Sequence, residues 1–169
     1  MLKITIGLIG CGIWGQKILR DLVSLQVQIW VIDNDPKKLQ IAHQMGATKT
    51  FLITPKDQLP DGWVISTPAS THHDVLMELF PLGKPIYVEK PLTCHAGEAN
   101  LLLEKASVPV FVMHNWRYHR GVQLLTQIAQ SKELGDLIFM KSNRCNWTSP
   151  RSDVDSVWTL IPHDITIAY

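Results

Sequence analysis

The stretch that most constrains this chain is Gly7-Leu8-Ile9-Gly10-Cys11-Gly12-Ile13-Trp14-Gly15. It reads Gly-x-Gly-x-x-Gly at Gly10, Gly12 and Gly15, directly after the apolar run Ile4, Ile6, Leu8, Ile9 and before a helix-like run from Gln16 to Leu25. That order predicts a strand, a tight turn and a helix. Each glycine has a separate expected role: Gly10 allows the sharp turn, Gly12 leaves bare backbone for a pyrophosphate, and Gly15 lets helix and strand pack closely. The amides at the start of the helix then face the phosphates. Ile13 and Trp14 sit inside this turn and are expected beside the same ligand, Trp14 either shielding it or packing on a neighbouring helix.

The context on the far side agrees. A second apolar run, Val27 to Ile32, ends in Asp33, at the spacing where a dinucleotide fingerprint carries its acidic residue. A carboxylate there accepts the hydroxyls of an adenosine ribose and repels a 2′-phosphate, which favours NAD; Lys37 and Lys38 keep NADP open. Asn34, in the turn Asp33-Asn34-Asp35-Pro36, joins the expected cofactor-binding set. The apolar stretch ending at Cys11 superficially resembles a lipoprotein leader, but it is too short and is followed by a well-formed nucleotide-binding turn. A cytoplasmic location is therefore expected.

Composition excludes several classes. A net charge of +1 gives no electrostatic argument for nucleic acid or an anionic membrane, and no run is long enough to span a bilayer. The cysteines Cys11, Cys94 and Cys145 lack Cys-x-x-Cys spacing, so neither a disulfide framework nor a metal site is expected.

Strand and helix signals alternate to about residue 115. Helix is predicted from Pro36 to Met45, with Pro36 at its first position and Gly46 as its stop. Strands follow at Thr50–Leu52, Trp63–Ser66, Pro85–Val88 and Val110–Met113, with helices from about His73 to Leu82 and His95 to Lys105. This is the pattern of a doubly wound parallel sheet, the α/β class of the Rossmann dinucleotide-binding fold. Asp33, Thr67, His72, Glu89, Lys90, Asn115 and Arg117 all fall just after strand ends, where open α/β sheets bind ligands. From Arg120 the pattern changes. A helix over Val122–Ser131 and a strand over Leu137–Ser142 read as the incomplete start of a second, α+β domain, followed by a polar loop from Asn146 to Asp155 and an apolar segment from Val157 to Tyr169. The expected division is 1–118 and 119–169, the latter beginning a substrate and oligomerisation domain.

Taken together, Gly10-Cys11-Gly12-Ile13-Trp14-Gly15, Asp33, Ser66-Thr67-Pro68 with His72, Glu89-Lys90-Pro91-Leu92, Asn115-Trp116-Arg117-Tyr118, Gly135-Asp136 and Pro162-His163-Asp164 resemble the Gfo/Idh/MocA family of NAD(P)-dependent sugar and inositol dehydrogenases. Members join a Rossmann domain to a larger C-terminal domain on an open sheet, so the resemblance implies a truncated N-terminal half, with activity impaired or lost. It also implies catalytic roles for Lys90 and His163, a cis Lys90-Pro91 peptide, Thr67, Pro68 and His72 at the cofactor with His72 at the nicotinamide end of the cleft, and Arg117 facing that cleft. Oxidation of a secondary alcohol needs a base for the hydroxyl proton and a cation for the developing alkoxide. Many members carry Asp four residues before the histidine; Thr159 stands there in this chain, leaving Asp164 or Asp155 as substitutes. The expected substrate is a sugar or polyol and the expected assembly a homo-oligomer. The competing readings are a non-catalytic NAD-binding module and a self-associating interaction domain.

Overall fold

The computed structural model describes residues 3–143 and 154–169. Cys145 and the expected polar loop up to residue 153 lie outside the described residues. The chain divides into two compact units, 1–112 and 113–169, so the turn Asn115–Tyr118 groups with the second.

The first unit alternates β1 (Thr5–Ile9), α1 (Ile13–Ser24), β2 (Gln28–Ile32), α2 (Pro36–Gln44), β3 (Lys49–Phe51), β4 (Gly62–Ile65), α3 (His72–Leu79), β5 (Ile86–Val88), α4 (Ala96–Lys105) and β6 (Val110–Val112). Every pairing is parallel, and the six-stranded order is β3-β2-β1-β4-β5-β6. The sequence therefore folds as the Rossmann-like sheet that its alternation predicts. Winding runs outward from β1 in one direction and from β4 in the other. Right-handed crossovers accordingly put α1 and α2 on one face and α3 and α4 on the opposite one.

Coverage on both faces explains the strand sequences. Ile29 to Ile32 are all buried, as are Trp63 to Ile65, with no polar alternation. Trp63, Ile65, Leu76, Leu79 and Val88 form the centre of the core, and burying each contributes about 1.5–3 kcal/mol. Local signals set the helix ends. Asp35 caps α2 by accepting the Lys37 N–H at 2.9 Å, Pro36 opens the helix, and Gly46 follows it at φ +105°.

The second unit holds the short turn Asn115–Tyr118, α5 (Arg120–Ser131) and α6 (Ser156–Ala168). Asp155 caps α6 by accepting the Trp158 N–H at 3.0 Å. The expected strand over Leu137–Ser142 does not form: the backbone there is irregular, and Ile138 and Phe139 are 94% and 76% exposed. The second unit has no strand among its described residues, so this segment has no ladder partner, and a lone strand cannot satisfy its own backbone. The expected α+β character of the second domain is likewise absent from its described residues, which are helical or irregular.

Candidate functional site

The glycine turn is built as its spacing demands. Gly10 has φ +91°, and a Cβ on it would lie 2.9 Å from the Ser66 carbonyl carbon and the Thr67 nitrogen. A Cβ on Gly15 would collide with the Gly10 carbonyl oxygen and approach Ser66 Oγ to 2.8 Å. Gly12 differs: among the described residues, no heavy atom beyond its immediate chain neighbours lies within 4 Å of where its Cβ would stand. Nothing in the fold requires glycine there by contact, so the open space above it is available to a ligand. Gly12 is also the N-cap of α1, which has no side-chain cap, leaving the positive end of the helix for an anion.

Neighbouring strands hold the turn in place. Gly10 N–H donates to the Ile32 carbonyl at 2.8 Å, Ser66 Oγ donates to the Gly10 carbonyl at 2.7 Å, and Gln16 Nε2 donates to the Cys11 carbonyl at 3.2 Å. The Cys11 N–H donates to Asp33 Oδ2 at 2.7 Å. Asp33 is buried at the end of β2, where Oδ1 also accepts the Asp35 N–H at 2.9 Å and stands 3.5 Å from Lys38 Nζ. The expected ribose carboxylate is thus also the residue that ties the glycine turn to β2. Burial pushes the Cys11 thiol above its ordinary pKa, the Asp33 carboxylate adds to the rise, and Lys38 opposes it. Ile13 and Asn34 are exposed beside these residues.

The ends of β4 and β5 bring the next group together. His72 is fully buried, with Nδ1 2.8 Å from the Pro91 carbonyl and Nε2 3.0 Å from the Thr67 carbonyl. It braces the loop after β4 against the loop after β5 and has both nitrogens at backbone oxygens rather than at an open cleft. A neutral imidazole donates to only one of these carbonyls at a time. Thr67 Oγ1 accepts from the Thr71 hydroxyl at 2.8 Å, and Pro68 is exposed. Glu89 is buried; its Oε2 accepts the Lys90 N–H at 3.0 Å and its Oε1 accepts the indole N–H of Trp14. The Lys90-Pro91 peptide is cis.

Two expected site residues belong to the second unit. Arg117 is exposed and lines an open groove of about 530 Å³ together with residues of α5 and α6 such as Gln123, Gln127 and Thr166. His163 is buried on α6, with its ring 6.4 Å from that of Trp116 in an edge-on arrangement. Thr159, one turn before it, donates its hydroxyl to the Asp155 carbonyl at 2.7 Å, while Asp164 accepts from Ser142 Oγ at 2.7 Å. Burial holds the His114 imidazole below its ordinary pKa, and the Arg117 cation adds to the depression. Among the described residues no three His, Cys, Asp or Glu side chains gather to hold a metal ion, and no helix is long and apolar enough to cross a membrane.

The turn, the bare backbone at Gly12, the uncapped α1 and the carboxylate at the end of β2 fit a dinucleotide. Two supporting contacts carried no decisive signal in the sequence. Gln16 looks like any polar residue in the first turn of a helix, and the Trp14–Glu89 bond joins positions far apart in the chain.

Several known proteins are similar to this chain in sequence or fold. The chain is 26% identical to the UDP-N-acetylglucosamine 3-dehydrogenase of Acidithiobacillus ferrooxidans over 99% of its own length, and 27% identical to the inositol 2-dehydrogenase of Pseudarthrobacter chlorophenolicus over 87%. It spans about half the length of these curated relatives, 54% and 47% respectively. Among solved structures, the myo-inositol 2-dehydrogenase of Lactobacillus plantarum superposes with a TM-score of 0.71 over 79% of this chain and 43% of the other, at 20% identity, a likeness of fold. A dehydrogenase from Chromobacterium violaceum gives 0.70 over 80% of this chain and 43% of the other, at 25% identity. Residues 4–114 match the family described as an oxidoreductase family with an NAD-binding Rossmann fold, and the chain belongs to that Gfo/Idh/MocA family.

Proposed function

We infer that this chain binds NAD in preference to NADP and supplies the dinucleotide-binding part of a dehydrogenase acting on a hydroxyl of a sugar, polyol or sugar derivative. The observation that carries the reading is the bond from the Cys11 N–H to Asp33. It couples the phosphate-facing turn to the ribose-facing carboxylate, so one rigid unit presents both. Gly10 and Gly15 give the turn its shape, Gly12 leaves the approach open, and Asp33 accepts ribose hydroxyls while its charge opposes a 2′-phosphate. Lys38 softens that opposition. When bound, a nicotinamide dinucleotide supplies the hydride acceptor or donor. In this reading Lys90 steadies the alkoxide of the substrate and His163 exchanges the hydroxyl proton, the roles that the resemblance to the family implies for them and that alcohol oxidation requires.

Calorimetric titration with NAD and NADP tests the binding reading: NAD binds more tightly, and Gly12→Ala or Asp33→Ala weakens it. Absence of binding by either nucleotide overturns it. Turnover with NAD over a panel of polyols and sugar nucleotides tests catalysis, with NADH formation lost in Lys90→Ala. NAD binding without turnover favours the second reading, a non-catalytic NAD-binding module, to which the names of relatives spanning about twice this length lend no specific activity.

A further inference from the structure

The dinucleotide reading leaves one contact of the first unit unused. Trp14 is the second residue of α1, at the mouth of the glycine turn, and its indole N–H donates to Glu89 beyond the end of β5. In the sheet β1 and β5 are not neighbours, because β4 lies between them. The bond therefore passes over the carboxyl end of β4, across the crevice that opens where the winding reverses between β1 and β4. Asp33 stands on the opposite side of β1, at the end of β2. A dinucleotide that places its adenosine ribose at Asp33 and its pyrophosphate over Gly12 has only the β4–β5 side left for its nicotinamide half.

The indole is held on two sides. Lys17 Nζ stands 4.5 Å from the ring centroid, a cation on the aromatic face. Glu89 is itself fixed, because its second oxygen accepts the Lys90 N–H. A charged acceptor makes such a bond stronger than a neutral one. Yet Trp14 remains 47% exposed, so its ring is not a core side chain kept in place by packing.

The geometry points to Trp14 and Glu89 as a latch over the nicotinamide end of the crevice: the indole–carboxylate bond spans it, and seating the nicotinamide half requires that bond to open. This rests on the dinucleotide reading above. Trp14 is accordingly a positioning residue that sets the affinity for the nicotinamide half alone.

The test is titration calorimetry of the full chain and of Trp14→Phe with NAD and with ADP. Phenylalanine keeps an aromatic ring and removes the N–H. The variant binds NAD roughly threefold to tenfold more tightly, since the opposing bond is gone, and binds ADP within about twofold of the original chain, since ADP does not reach β5. Unchanged NAD affinity, or equal changes for NAD and ADP, overturns the latch while leaving the dinucleotide site standing. An original chain that binds neither ligand overturns the dinucleotide reading, and the latch with it.

Discussion

Val27 to Ile32 and Leu137 to Ser142 carry similar local signals, apolar runs that read as strands, and they end differently. The first becomes β2, paired on both sides by β1 and β3 and buried from Ile29 onward. The second has no strand neighbour among the described residues of its unit, forms no strand, and leaves Ile138 and Phe139 exposed. The difference teaches that apolar, β-prone sequence is only half of a strand. The other half is a ladder partner, which sequence-local reasoning cannot supply.

The sharpest way to break this comparison is to remove a large side chain from each unit. Trp63, 1% exposed on β4, should cost about 3–5 kcal/mol as Trp63→Ala, whereas Leu125→Ala on exposed α5 should fall within about 0.5 kcal/mol, both read by urea unfolding. Equal costs would mean that the second unit is as tightly packed as the first.

Within the glycine turn, Gly15→Ala forces a Cβ against Gly10 and Ser66 and should destabilise by roughly 1–3 kcal/mol. Gly12→Ala meets nothing within 4 Å, so its stability should stay within about 0.5 kcal/mol of the original. NAD affinity should nevertheless fall by about tenfold or more, a loss of roughly 1.4 kcal/mol of binding. A Gly12 variant that unfolds instead would show the position to be structural.

Asp33→Ala strips the acceptor from the Cys11 and Asp35 amides and should cost about 1–3 kcal/mol of stability. It should also move nucleotide preference towards NADP, because the repelling charge is lost and Lys38 remains. Thermal melts and paired titrations with the two nucleotides read the two effects separately.

The units should also respond to opposite extremes of pH. The raised Cys11 pKa keeps a proton that the unfolded chain releases first. Stability is therefore full below the unfolded thiol value and declines as pH rises from there towards the folded one, a slope that Cys11→Ala should flatten. The depressed His114 pKa works the other way. Its contribution is present above the unfolded imidazole value and is lost as pH falls through the folded one, a slope that His114→Gln should flatten. The smallest expected effect is on association: exposed Leu137 to Phe139 favour self-contact, and Ile138→Glu should lower the sedimentation-derived mass at high concentration.

Much of the first unit was legible because its signals are local. Asp35-Pro36 and Gly46 bracket α2 within a turn of their positions, and the glycine spacing, with the apolar run before it and the helix-like run after it, placed a turn between β1 and α1. The candidate site was legible as a set of residues after strand ends, but not as a set of contacts. His72 read as a residue of the cleft wall, and the structure instead places its ring in the interior with two backbone carbonyls. Trp14 left shielding and packing equally open in the sequence, and the structure sets its indole N–H against Glu89. Arg117 and His163 read as site residues by resemblance, and the structure assigns both to the second unit.

By itself, the sequence determined the order of elements in the first unit, the ends of α2, and the turn whose glycines suit a phosphate. All of these depend on residues within a few positions of one another, and steric and hydrogen-bonding rules act directly at that range. Tertiary structure alone decided that β1 lies between β2 and β4, that Asp33 meets the Cys11 amide, that Trp14 reaches Glu89, and that Leu137 to Ser142 finds no strand partner among the described residues. Those outcomes depend on which distant segments come together, and that choice follows from burial of the whole sheet rather than from the preference of any one stretch.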